Sequence, residues 1–248
     1  MTGLMKFLTG IFGASIVIWF AVMCVPQAAF AESPSDCYQQ MLTKLRSVKT
    51  YQVTIEDSTK LQPTVAGSKP RTIQSTDEVA FQKPNLFSLK NDGLMGGGTV
   101  VSDGKLEYFY SELTDQYASR NAPNDIVTGV TGGLQGKRVI WMSASATVLS
   151  GVPVKKLDGV MNGARGATHV TLYIRASDSL PFQLRLVLPT ISSADGDGLQ
   201  ITRTEFFMNQ RLNAPVPHST FQFTPPDGAV KVNSPSELSS GLSGGGLG

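Results

Sequence analysis

The feature that most constrains this chain is an alternation of apolar and polar residues with period two, which returns in segment after segment between residues 51 and 207. Tyr51, Val53 and Ile55 alternate with Gln52, Thr54 and Glu56. Val170, Leu172 and Ile174 share one face of HVTLYIRAS, and Phe182, Leu184 and Leu186 share one face of FQLRLVL. Successive side chains of a strand point to opposite faces, so each such segment buries one face and wets the other. Further strands are predicted over 72–81, 86–90, 99–102, 105–111, 117–119, 152–157 and 199–207. Asp103-Gly104 and Gly196-Asp197-Gly198 supply hairpin turns. Strands joined in sequence by short turns form an antiparallel meander, so the expected fold is mainly β (α+β), a strongly curved sheet or open barrel with helices set against it.

Two stretches break the alternation. Ser35-Asp36 ahead of CYQQMLTKLRSV reads as a helix start, with Cys37, Met41, Leu45 and Val48 recurring on one helical face. Residues 123–150 hold Gly132, Gly133 and Gly136 and then VIWMSASATVLSG, whose apolar residues do not alternate cleanly; one or two short helices are predicted there.

The ends read differently from the middle. Lys6, the apolar run 11–25 and the small-x-small site Ala29-Phe30-Ala31 predict a secretory signal over residues 1–31, with the mature chain starting at Glu32; an uncleaved anchor helix is the alternative. A single binding domain is expected over residues 32–232, and a disordered Ser/Gly-rich tail over 233–248. Removing the signal leaves Cys37 as the one cysteine, so no internal disulfide is available, and a monomer held by packing is expected. Cys37 itself reads either as a small apolar residue on the helix or as a reactive thiol.

Composition and spacing narrow the chemistry. The 21 Lys and Arg nearly balance the 19 Asp and Glu, whereas a nucleic-acid binder would carry a basic excess. His169 and His218 lie far apart in sequence, with no ligand-type residue at metal spacing beside either. Gly96-Gly97-Gly98 lacks the lysine and helix of a phosphate loop, and Gly241-Leu242-Ser243-Gly244-Gly245 matches a nucleophile elbow only in a tail with no strand, helix or later histidine. No cofactor fingerprint is present, and a non-enzymatic binding protein is expected.

Certain short blocks carry a resemblance. Lys83-Pro84-Asn85-Leu86-Phe87, then Val101-Ser102-Asp103-Gly104-Lys105 and Phe109-Tyr110, are similar to the R-P-N-L-F and V-S-D-G-K blocks of the LolA/LolB superfamily of periplasmic lipoprotein carriers. The ending from Thr220 to Ala229 (TFQFTPPDGA) resembles that family's F-x-F-x-P-P-x-G-A close, and the resemblance runs in order over residues 36–232. It implies a periplasmic protein built as an open antiparallel half-barrel, its hydrophobic concave face covered by a helical lid that shields acyl chains of lipids or lipoproteins. It also implies an inner- or outer-membrane partner protein. At the position of Lys83 the family carries an arginine that helps hold the lid, which makes Lys83 a lid-contact residue. A lysine offers one flexible ammonium where arginine offers a planar fork. The competing reading of Lys83 is an edge lysine that discourages strand pairing.

The alternation nominates Val53, Ile55, Phe81, Phe87, Leu106, Tyr108, Val170, Leu172, Leu184 and Leu186 as the lining of a lipid-binding cavity, although alternation does not say which face of a strand is concave. Two functions follow from this. One is an exported carrier for acyl chains; the other is a non-catalytic envelope sensor or scaffold whose core is filled and whose surface binds a protein partner.

Overall fold

The computed structural model describes residues 32–65, 67–93, 97–124, 127, 134, 138–164, 166–192 and 198–238. The predicted signal, most of the Gly196–Gly198 turn and the elbow-like pentapeptide of the tail lie outside the described residues. The elements are α1 (Pro34–Ser47), β1 (Thr50–Pro63), β2 (Arg71–Gln82), β3 (Leu86–Asn91), β4 (Gly98–Asp103), β5 (Leu106–Ser111), β6 (Gln116–Asn121), β7 (Val139–Leu149), β8 (Val152–Gly163), β9 (Gly166–Arg175), β10 (Pro181–Val187), β11 (Ile191–Ser192), β12 (Gly198–Leu212) and β13 (Val230–Lys231).

All the strands share one sheet, in the order β13-β6-β5-β4-β3-β2-β1-β12-β10-β9-β8-β7, with β11 beside β12. Two antiparallel meanders, β1 to β6 and β7 to β10, are joined through the long antiparallel pair β1–β12, where Ile55 faces Phe207 and Asp57 faces Glu205. Strands β7 and β13 stand at the two ends of that order, so the sheet stays open. The expected mainly β half-barrel is therefore the observed fold.

Helix α1 starts earlier than its sequence suggests. Ser33 is the cap, its Oγ accepting from the Asp36 N–H at 3.1 Å, and Pro34 takes the first turn, where its missing N–H costs nothing. Cys37, Met41, Leu42 and Leu45 then point into the sheet, together with Val48 just past the helix end. The helices predicted in 123–150 are corrected over 139–149, which form β7. A bulge between Trp141 and Ser143 shifts the phase of this strand against β8, so its apolar residues do not alternate in sequence although its backbone is a regular ladder on either side. Of residues 125–137 only Val127 and Leu134 are described, and both are buried in the core.

The face of the sheet that meets α1 is its concave face. Paired residues share a face, so the row Tyr51–Phe81–Phe87–Ser102–Glu107 fixes the concave side through β1 to β5, and Leu184–Leu172–Leu157–Ala144 fixes it through β10 to β7. The convex side of β3 to β6 is covered by the segment after β12. Phe221 is fully buried there, and Phe223 stacks on Tyr108 at 5.2 Å and lies 6.3 Å from Tyr110 and 5.9 Å from Tyr117. This strap ends as β13, parallel to β6, and a short 3-10 turn, Pro235–Glu237, with Leu238 buried beyond it.

Candidate functional site

The concave trough is built from strands whose apolar phase is unbroken on one side. Val53, Ile55, Phe81, Phe87, Val170, Leu172, Leu184 and Leu186 all belong to one cluster, each between 1 and 6 % exposed except Phe81 at 0 %, and the inward residues of α1 belong to the same cluster. Eight of the ten nominated lining positions are thus brought together. Leu106 and Tyr108 are not: the register Val101–Tyr108 and the stacking on Phe223 place Tyr108 on the convex face, and Leu106, two residues away, shares it. Strand β5 has aromatic residues on both sides, so its alternation could not distinguish them. Phe109, paired with Val100, takes the concave position instead, with the Arg120 guanidinium 4.8 Å above its ring.

Helix α1 closes this trough and is tied to it at both ends by polar groups. At its C-terminal end the Lys83 ammonium donates to the Arg46 carbonyl, and the Lys83 backbone N–H donates to the Lys49 carbonyl at 2.9 Å. A cation at a helix C-terminus satisfies an orphan carbonyl and opposes the negative end of the dipole, which is what the Lys83 ammonium does for α1. At the other end Glu32 sits 2.6 Å from the Lys155 ammonium, an exchange that holds its carboxyl below the ordinary range, and it also accepts from the Gln40 amide. The Cys37 thiol donates to Glu32 at 3.2 Å; burial first, and this bond second, push its pKa up to about 11. A buried thiol held protonated is unreactive, so Cys37 serves as core. In the middle, Tyr38 of α1 meets Trp141 of β7 at 5.1 Å, over Gly159 of β8, where an added Cβ would lie 2.8 Å from the indole.

The far part of the trough is charged. Asp57 and Glu205 face each other across β1 and β12, and Arg203 bonds Asp57 and lies 3.1 Å from Glu205. Burial works against the Arg203 charge, but Glu205 and then Asp57 outweigh it and raise its pKa. Asp77, on the neighbouring strand, accepts from Asn91, yet burial dominates and pushes its pKa up. The apolar stretch along β1 therefore runs from Tyr51 to Ile55, about 13 Å at the usual rise of a strand, and ends at Asp57. Sequence reasoning missed this cluster, although the signal was present: Asp57 and Asp77 occupy the same phase as Val53 and Ile55, and as Val79 and Phe81.

Two open grooves flank the trough, and both have polar walls. One, of about 690 Å³, lies between α1 and the turn at residues 177–179, with Gln40, Lys44 and Asp178 on its walls. The other, of about 820 Å³, is bounded by Glu78, Lys90 and Arg211 beside the start of the convex strap. His169 and His218 are both exposed, and among the described residues no group of three or more His, Cys, Asp or Glu is placed to hold a metal ion.

Comparison with known proteins was made on the sequence and on the fold. Residues 35–135 match the family described as "Predicted periplasmic protein (DUF2092)". An uncharacterized protein of Methanocaldococcus jannaschii is 25% identical over 162 residues, 62% of this chain; the chain spans 42% of that protein's length. Among solved structures, a putative outer membrane lipoprotein-sorting protein domain from Vibrio parahaemolyticus is similar at a TM-score of 0.35 and 8% identity, with 75% of this chain and 94% of that one covered. The Pseudomonas aeruginosa MucA/MucB complex contains a chain similar at a TM-score of 0.34 and 10% identity, with 77% of this chain and 61% of that one covered.

Proposed function

We propose that this protein is a periplasmic, non-catalytic carrier that binds acyl chains of lipids or lipoproteins in the trough once α1 swings away. The observation that carries this reading is the division of labour at the lid. The trough is apolar over about 13 Å along β1, while α1 is fastened by polar contacts at its two ends, Lys83 on the Arg46 carbonyl at one and Glu32 with Lys155 and Gln40 at the other. Hydrogen bonds made by charged groups of this kind are worth about 1.5–3 kcal/mol each. Burying methylenes returns about 0.8 kcal/mol apiece, so a long acyl chain offsets the release of the helix's apolar face. A carrier needs such a near balance, since it must also give its cargo up. The expected export signal and the periplasmic description of the matched family agree with this setting.

A second reading has one observation in its favour. The eight nominated lining residues are already packed in one cluster with the inward residues of α1 and with Val127 and Leu134, as a filled core would have them, which suits a sensor or scaffold that binds a partner protein through its surface. Native mass spectrometry of the protein purified from a bacterial periplasm without detergent separates the two. A stoichiometric lipid or acylated peptide released on denaturation supports the carrier. An apo mass that takes up no added phospholipid or lipopeptide sinks it. Cys37 gives an independent readout in solution: lipid uptake that displaces α1 should open its thiol to alkylation, and uptake without any gain in labelling would mean the helix is not the lid.

A further inference from the structure

The near balance of charge over the whole chain hides an uneven local distribution. Strands β1, β3 and β5 begin, and β2, β4 and β6 end, at the same rim of the half-barrel, where α1 also ends. Backbone bonds gather three exposed lysines there from distant parts of the chain. The Lys83 N–H donates to the Lys49 carbonyl at 2.9 Å, the Asn85 amide donates to the Gly104 carbonyl, and Lys105 follows directly, its own carbonyl accepting from Ala122 at 2.9 Å. Lys44, half-buried in the last turn of α1, adds a fourth cation on the helix that ends at this rim.

Among the described residues, two acids near this rim are held by local bonds. Asp103 accepts from the backbone N–H groups of Lys105 and Leu106, each at 2.8 Å, which holds its carboxylate within its own turn. Asp178, across the groove from Lys44, is bound to Arg175 at 2.8 Å. Lys49 and Lys105 are exposed on flexible stems, and Lys83, exposed as well, adds its charge while its ammonium stays on the Arg46 carbonyl. Point charges of this kind suit a diffuse anionic surface better than a planar bidentate ligand, for which arginine is the fitting residue.

We propose that this basic rim docks the protein on an anionic phospholipid bilayer. The surface potential of such a bilayer attracts clustered lysines, each contributing about a five-fold change in partitioning. The rim is also where the C-terminal end of α1 closes the trough, so docking would bring the lid latch against the lipid. The inference extends the carrier reading to the membrane that supplies or receives the cargo, but it stands on charge placement and does not require an acyl chain in the trough.

The test is co-sedimentation of the periplasm-purified protein with phosphatidylcholine vesicles, with and without phosphatidylglycerol, at low and high salt. Binding to the anionic vesicles alone, weakened by salt, is expected. The triple variant Lys44→Gln, Lys49→Gln, Lys105→Gln leaves the lid contact of Lys83 in place and should lower partitioning by about a hundred-fold without changing the melting curve. A control variant, Lys60→Gln, Lys69→Gln, Arg71→Gln, removes the same charge from exposed positions at the opposite end of the strands and should bind within about two-fold of the parent, as separated surface charges act locally. Equal binding to neutral vesicles, no binding at all, or equal loss in the two variants would each overturn the docking rim. The mass-spectrometric assay for released lipid reads the carrier function separately, so failure of one proposal is distinguishable from failure of the other.

Discussion

Asp77 shows how one residue can work against its surroundings. Its carboxyl lies in phase with Val79 and Phe81 of β2, and burial, the largest influence on it, raises its pKa above the ordinary 3.8 despite the bond from Asn91. For an acid the sign follows directly: the folded state holds the proton more tightly than the unfolded chain, so stability falls as pH rises from the ordinary value through the raised one. Asp77→Asn, which keeps the acceptor for Asn91 and cannot ionise, should unfold at a higher temperature than the parent at neutral pH, with the gap closing in acid. A variant less stable at neutral pH would mean that Arg203 needs the Asp77 charge as well as Asp57 and Glu205. The position was legible in the sequence as an acid in phase with Val79 and Phe81. The residues that offset it were not, since Arg203 lies 126 positions further along and comes near only through the β1–β12 ladder.

At the scale of elements, α1 and β7 depend on each other. The helix is short, and short helices are held by caps and packing more than by intrinsic propensity. Ser33→Ala removes the bond to Asp36 and should cost about 1 kcal/mol in equilibrium unfolding; an unchanged midpoint would mean that packing alone sets the start of the helix. Strand β7 is anchored to the helix through Trp141, which rests over Gly159. Gly159→Val would drive a side chain into the indole, Val139 and the Ile140 carbonyl, so about 1–3 kcal/mol of overpacking is expected. Near-ultraviolet circular dichroism of the Tyr38–Trp141 pair should change with it, and a variant with parental signal and stability would refute the contact. The helix was legible because four apolar residues recur at helical spacing. Strand β7 was not, because its bulge breaks the phase and much of its surface is exposed, including Ile140, Met142 and Val148, so that no period could emerge.

The whole molecule is a sheet with two coverings, a helix on the concave side and a strap on the convex side. The strap anchors through Phe221, which is wholly buried, and through Phe223 against three tyrosines. Phe221→Ala should cost about 3–5 kcal/mol, as deletion of a buried aromatic ring usually does. Urea unfolding measures the loss, and limited proteolysis should then cut within residues 215–238 before the sheet. A loss below about 1 kcal/mol would mean that the strap lies on the barrel without stabilising it. If α1 and the strap act independently, as coverings on opposite faces should, the Phe221→Ala variant keeps the lipid uptake of its parent.

Period-two alternation, one amphipathic helix and Asp-Gly turns determined most of the strands between residues 51 and 207, the open antiparallel class and the burial of eight of the ten nominated residues in one cluster, because these follow from local stereochemistry and the need to bury one face. Tertiary structure alone decided which side of β5 is concave, that 139–149 is an edge strand, that Lys83 reaches the end of α1, and that four acids and bases from three strands meet at the far part of the trough. Each of these depends on strands far apart in sequence coming into register. A repeat of two fixes which residues travel together, and only pairing with a neighbour fixes which way they face.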